Sequence, residues 1–153
     1  MLSLARKFRR QIKGWNRRPL TEDDFHRLRE RYGVALSEED SEDMIWKGIY
    51  TVIDGVPTII INAKLKGLER LWTLFHELGH HLLHSPATCF FSEDTVRKAQ
   101  SEANVFAAIA LIPEKYVRQM YLWELYDCDE FAAKLFQIRL EVFERYEKKQ
   151  PLT

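Results

Sequence analysis

Cysteine is nearly missing from this chain, with two residues in 153, Cys89 and Cys128, and no CxxC spacing. That excludes a disulfide framework and a cysteine-built zinc site, and it suits reduced thiols in the cytoplasm. Net charge is missing too. The 23 basic and 23 acidic side chains cancel, so the whole molecule has no field that would steer it to nucleic acid or to an anionic membrane. No apolar stretch approaches the ~20 residues of a spanning helix, and MLSLARKFRRQIKGW lacks the unbroken apolar run of a secretory signal. The expected location is the cytoplasm.

What is present is an ordinary globular composition, 46% hydrophobic and 30% charged, in a chain long enough to bury a continuous core. The charges are unevenly placed: residues 1–21 hold Arg6, Lys7, Arg9, Arg10, Lys13, Arg17 and Arg18 and no acid. Residues 1–20 read as a basic arm or an amphipathic helix, its apolar stripe formed by Leu2, Leu4, Phe8, Ile12 and Trp15 and its end marked by Pro19. This segment is the sole candidate for direct nucleic-acid contact, which is otherwise not expected. Residues 21–153 read as one domain.

TEDDFHRLRERYG predicts a short helix, capped by Thr21 or Asp23 and ended at Gly33. Val34 to Leu36 predicts a short strand, and the acidic run SEEDSED a solvated connection. From Met44 the chain becomes β-branched and aromatic, split by Asp54-Gly55, which predicts a hairpin with strands over 44–53 and 56–62. After Asn62 the apolar period becomes helical through Leu65, Leu68, Leu71, Trp72, Phe75, Leu78, Leu82 and Leu83. A further helix is expected from about Thr95 to Leu111, stopped by Pro113.

The first of these two helices carries HELGHHLLH over residues 76–84, four of the five histidines in the chain. His76 and His80 stand four apart and share a face, with Cβ atoms ~5–6 Å apart, close enough to grip one ion. Glu77 lies beside that ion. This is the HExxH arrangement of a hydrolytic zinc: two imidazoles, a third protein ligand from elsewhere, and an open position for a water that Glu77 can deprotonate. HExxH also occurs by chance, so the third ligand decides. Glu102, at the head of an apolar run on the next helix, either points inward and needs a cation or lies on the outer face of that helix. His84, four beyond His80, reads as a hydrogen-bonding or packing residue or as an alternative ligand. His81 reads as a flank residue, His26 as surface or core. Tyr116 reads as aromatic packing or as an oxyanion stabiliser, and Phe90 and Phe91 as core or cleft lining.

The blocks GVPTIIIN, FHELGHHLLH and SEANVFAAIALIP, in that order and spacing, resemble the ImmA/IrrE family of zinc metallopeptidases over roughly residues 21–147. The resemblance implies a minimal zincin-like α+β fold, with a small antiparallel-containing sheet packed on the HExxH helix and a bundle of further helices. It implies one Zn2+ per chain, or another divalent ion such as Mn2+, held by His76, His80 and Glu102, with Glu77 as general base. It also implies a protein substrate, a helix-turn-helix repressor, and a role in releasing mobile-element or stress-response genes. The strand Thr58, Ile59, Ile60, Ile61 and Asn62 is expected to be the edge that pairs with an extended substrate. Two departures stand out: the basic N-terminus lies outside the resemblance, and Arg139 stands in FQIRLEVF where a small polar residue that caps a helix is expected, which puts the break between the last helices in question. The other reading is a metal-binding regulatory partner, half of a toxin–antitoxin-like pair, that binds without cutting. Intact Glu77 favours the peptidase.

Overall fold

The computed structural model describes residues 6–40, 47–84, 93–119, 125–127 and 129–148. The element order among them is α1 (Glu22–Arg31), β1 (Ala35–Glu39), β2 (Gly48–Ile53), β3 (Val56–Asn62), α2 (Gly67–Leu83), α3 (Glu93–Leu111), α4 (Glu114–Arg118) and α5 (Glu130–Val142), ending in a π-helical turn, Phe143–Glu147. The fold is α+β, with helices and a small three-stranded mixed sheet. Two compact units divide the chain: one is Thr21–Asn104, the other Met1–Leu20 with Val105–Thr153.

In the first unit, α1 begins with a complete capping box, Thr21 accepting from the Asp24 amide while the Asp24 carboxylate accepts from the Thr21 amide. Phe25 from α1 meets Phe75 of α2 edge to face. Arg70 of α2 forks to Glu22 on α1 and Glu38 on β1, tying three elements together. The hairpin forms as its sequence predicts. Asp54 and Gly55 both take positive φ, 50° and 80°, as a two-residue hairpin turn requires. The strand β1 is longer than expected: Ser37, Glu38 and Glu39 of the acidic run belong to it.

The strand order is β1-β3-β2, with β1 parallel and β2 antiparallel to β3. This corrects one expectation. The strand Thr58 to Asn62 is the centre of the sheet, hydrogen-bonded on both sides, and Ile59 and Ile61 are fully buried. Pro57, which suggested an edge, is tolerated in a central strand because β1 begins pairing only at Thr58. Among the described residues, β2 has a free side. The Asn62 amide donates to the Lys47 carbonyl, and antiparallel alternation then turns the backbone groups of Ile49, Thr51 and Ile53 toward β3 and those of Gly48, Tyr50 and Val52 away from it. Gly48 is packed closely on α2: a Cβ there would stand 2.7 Å from Thr73 Cγ2 and 3.5 Å from Glu77 Cγ.

In the second unit, residues 6–20 run mostly through turns, and Phe8, Ile12, Trp15 and Leu20 are buried. Phe8, Trp15 and Phe106 form an aromatic cluster with centroids 4.9–5.4 Å apart. Leu2 and Leu4 of the expected stripe lie outside the described residues. Helix α5 shows no break at Arg139, which is fully buried and hydrogen-bonded to the Ile112 carbonyl at 2.6 Å and to the Glu147 carboxylate. Asn16, at φ 57°, donates to Glu147 and accepts from the Glu114 amide at the start of α4.

Candidate metal centre

Helix α2 runs unbroken through the histidine cluster, as its apolar period predicts, and buries Thr73, Leu74, Phe75, Glu77, Leu78 and Gly79. Ligand atoms of His76, Glu77 and His80 all lie within 4.8 Å of one another. The two imidazoles also converge: His76 Nε2 is 2.7 Å and His80 Nε2 3.3 Å from one atom, Gln100 Oε1 on α3. Burial lowers the pKa of His76, against hydrogen bonds with Gln100, whose Oε1 accepts, and with Asn104, and burial lowers His80 to about 4, with its histidine neighbours adding to the effect. Both rings are therefore neutral near pH 7, as metal ligation requires. The donor set fits a divalent ion that accepts nitrogen and oxygen.

Glu77 is buried, and burial raises its carboxyl to about 7, opposed by a hydrogen bond from the Tyr50 backbone amide. That amide is one of those turned away from β3, so the free side of β2 delivers a donor to the carboxylate. The Tyr50 side chain is held in turn by α2: its hydroxyl lies 2.7 Å from His81 Nδ1. His81 is thus more than a flank residue, and Tyr50 and Gln100 are site residues that spacing along the chain does not reveal.

His84 Nδ1 meets His80 Nδ1 at 3.1 Å. Glu102 is half-buried, and its Oε2 lies 4.0 Å from His84 Nε2, outside the three-donor cluster. Tyr116 belongs to the second unit and is half-buried with the Lys115 ammonium 5.2 Å from its ring centre. His26 pairs with Glu22 and Arg29 on α1. Phe90 and Phe91 lie outside the described residues.

An HExxH helix under a small mixed sheet, its glutamate buried beside two neutral imidazoles, is the arrangement of a zincin-type metallopeptidase domain. Residues 29–146 match the Peptidase M78 family model, the IrrE N-terminal-like domain, and the chain belongs to that family. It is also 45% identical over 65 residues to "Uncharacterized immunity region protein 2" of Bacillus phage phi105, a match that covers 40% of this chain and 41% of that protein. No described helix is long and apolar enough to cross a membrane.

Proposed function

We propose that the protein is a zinc-dependent endopeptidase that cuts a specific protein substrate of the helix-turn-helix repressor class. The observation that carries the reading is the convergence of His76 and His80 Nε2 on one point beside buried Glu77. His76 and His80 hold the ion as neutral ligands, and His84 steadies His80 through the Nδ1 contact. The third donor comes from α3, where the resemblance places it at Glu102. Bound zinc supplies Lewis acidity, acidifying water and polarising the scissile carbonyl. Glu77 takes the proton of the attacking water and delivers it to the leaving amine, a role suited to a carboxyl with a pKa near 7. The Tyr50 amide keeps that carboxylate aimed. An extended peptide pairs with the free side of β2, and exposed Ile49, Val52 and Ile53 give its side chains apolar contacts. The phage relative is named for an immunity region, which accords with a repressor-type substrate.

The test is to incubate the purified protein with a helix-turn-helix repressor encoded beside it, with and without chelator, alongside Glu77→Gln. Wild type with zinc should cut the repressor at a discrete position. Glu77→Gln should retain one metal per chain and lose cleavage by a factor of about 10² or more. Cleavage that persists in chelator or in Glu77→Gln overturns the mechanism; a tight metal-loaded complex that is never cut favours the regulatory partner instead.

A further inference from the structure

We propose that the third protein donor to the ion is the side-chain amide oxygen of Gln100, and that Glu102 stands behind His84 instead of on the metal. This rests on the metal reading above and assigns one of its ligands. A single oxygen, Gln100 Oε1, lies 2.7 Å from His76 Nε2 and 3.3 Å from His80 Nε2. Two donors sharing one tetrahedral ion at ~2.0–2.1 Å stand roughly 3.3–3.4 Å from each other. The carboxamide oxygen already keeps that spacing from His80 Nε2 and stands closer still, at hydrogen-bond distance, to His76 Nε2, so it faces both imidazoles where an ion between them would take a third donor.

Helical periodicity separates the two candidates. Gln100 and Asn104 are four apart on α3 and share a face, and both act on His76. Glu102 is two residues from Gln100, roughly 200° round the helix, so a face that presents Gln100 to the imidazoles turns Glu102 elsewhere. Its carboxylate has a different neighbour in His84 Nε2, at 4.0 Å, and His84 Nδ1 meets His80 Nδ1. Glu102 thus acts on His84 through its charge across 4.0 Å, and His84 meets His80 directly, which puts the Glu102 carboxylate behind a candidate ligand and not on the ion.

An amide oxygen is a neutral donor, so it binds a divalent cation less tightly than a carboxylate does at the same place. The metal-free protein should be titrated with Zn2+ against a chromophoric chelator, and with Co2+ while its visible absorption bands, which report coordination geometry, are followed. Gln100→Ala should lose roughly a hundredfold in affinity and change the Co2+ spectrum, whereas Gln100→Glu should bind about tenfold or more tightly. Glu102→Ala should keep the wild-type Co2+ spectrum and lose no more than about tenfold. Circular dichroism checks the fold of each variant. The assignment is overturned if Glu102→Ala abolishes the spectrum while Gln100→Ala preserves it, or if neither variant changes it. If wild type takes up neither ion, or His76→Ala binds as tightly as wild type, the metal site itself falls and the assignment falls with it.

Discussion

Arg139 shows how much one residue can hold. Its guanidinium is fully buried and is satisfied by Glu147, the Ile112 carbonyl and Asn16. Removing one partner of a buried ion pair leaves the other uncompensated, so Arg139→Met should cost about 3–5 kcal/mol in urea denaturation. Arg139→Met combined with Glu147→Leu should recover a good part of that. A single variant as stable as wild type would show that the pair contributes little. Glu77 gives a prediction of opposite kind, for protein freed of metal. Its carboxyl lies at about 7 in the folded chain against an ordinary 4.5, so its contribution to stability is complete below pH 4.5 and is lost as pH rises through about 7. The loss is at most about 3–4 kcal/mol. Glu77→Gln should therefore stabilise the chelated protein at about pH 8 and not at about pH 4.5; an equal effect at both would rule out this titration. His76, Glu77 and His80 were legible in the sequence because a helix converts spacing directly into geometry. Gln100 and Tyr50 were not, because which face of α3 and which side of β2 meet α2 is decided by packing between elements remote in sequence.

At the scale of elements, the hairpin and the helices follow from local chemistry: the Asp54-Gly55 turn, the Thr21 box and the Asp129 side chain capping α5. Strand order does not. VPTIII is β-forming in any position, and only the return of β1 alongside β3 in parallel makes it central. The free strand β2 is set against α2 by an absence, the missing Cβ of Gly48. Gly48→Ala would press on the stiff, β-branched Thr73, which is itself bonded to the Glu69 carbonyl. The expected cost is about 1–3 kcal/mol. Because the same strand carries the Tyr50 amide, cleavage should fall further than stability in that variant. Unchanged thermal unfolding together with unchanged cleavage would mean that β2 and α2 shift apart without consequence.

At the scale of the whole molecule, the basic N-terminal segment is a structural part. Its positive charges suggested an arm, but its apolar residues decided its fate: Phe8, Ile12, Trp15 and Leu20 are in the core of the second unit, and the Leu20 amide donates to the Ala110 carbonyl. Deleting residues 1–20 should therefore expose Phe106 and leave Arg139 and Glu147 without Asn16. The shortened chain should lose cooperative thermal unfolding or aggregate. If it melts at the parental temperature, the segment is dispensable to the fold. The sequence alone left this open because a stripe of five apolar residues among seven cations suits a surface helix as well as a buried strap.

That buried strap also sets an order of events during synthesis. Trp15 and Phe8 leave the ribosome long before Phe106, and Asn16 long before Glu147, its partner 131 residues along the chain. Throughout that interval Phe8, Trp15 and Asn16 are without Phe106 and Glu147, while residues 21–104 have the described strands of their own unit at hand. The unit that holds His76, Glu77 and His80 can thus be assembled first, and the one that buries Phe8 and Trp15 is closed only after Phe106 and Glu147 have emerged.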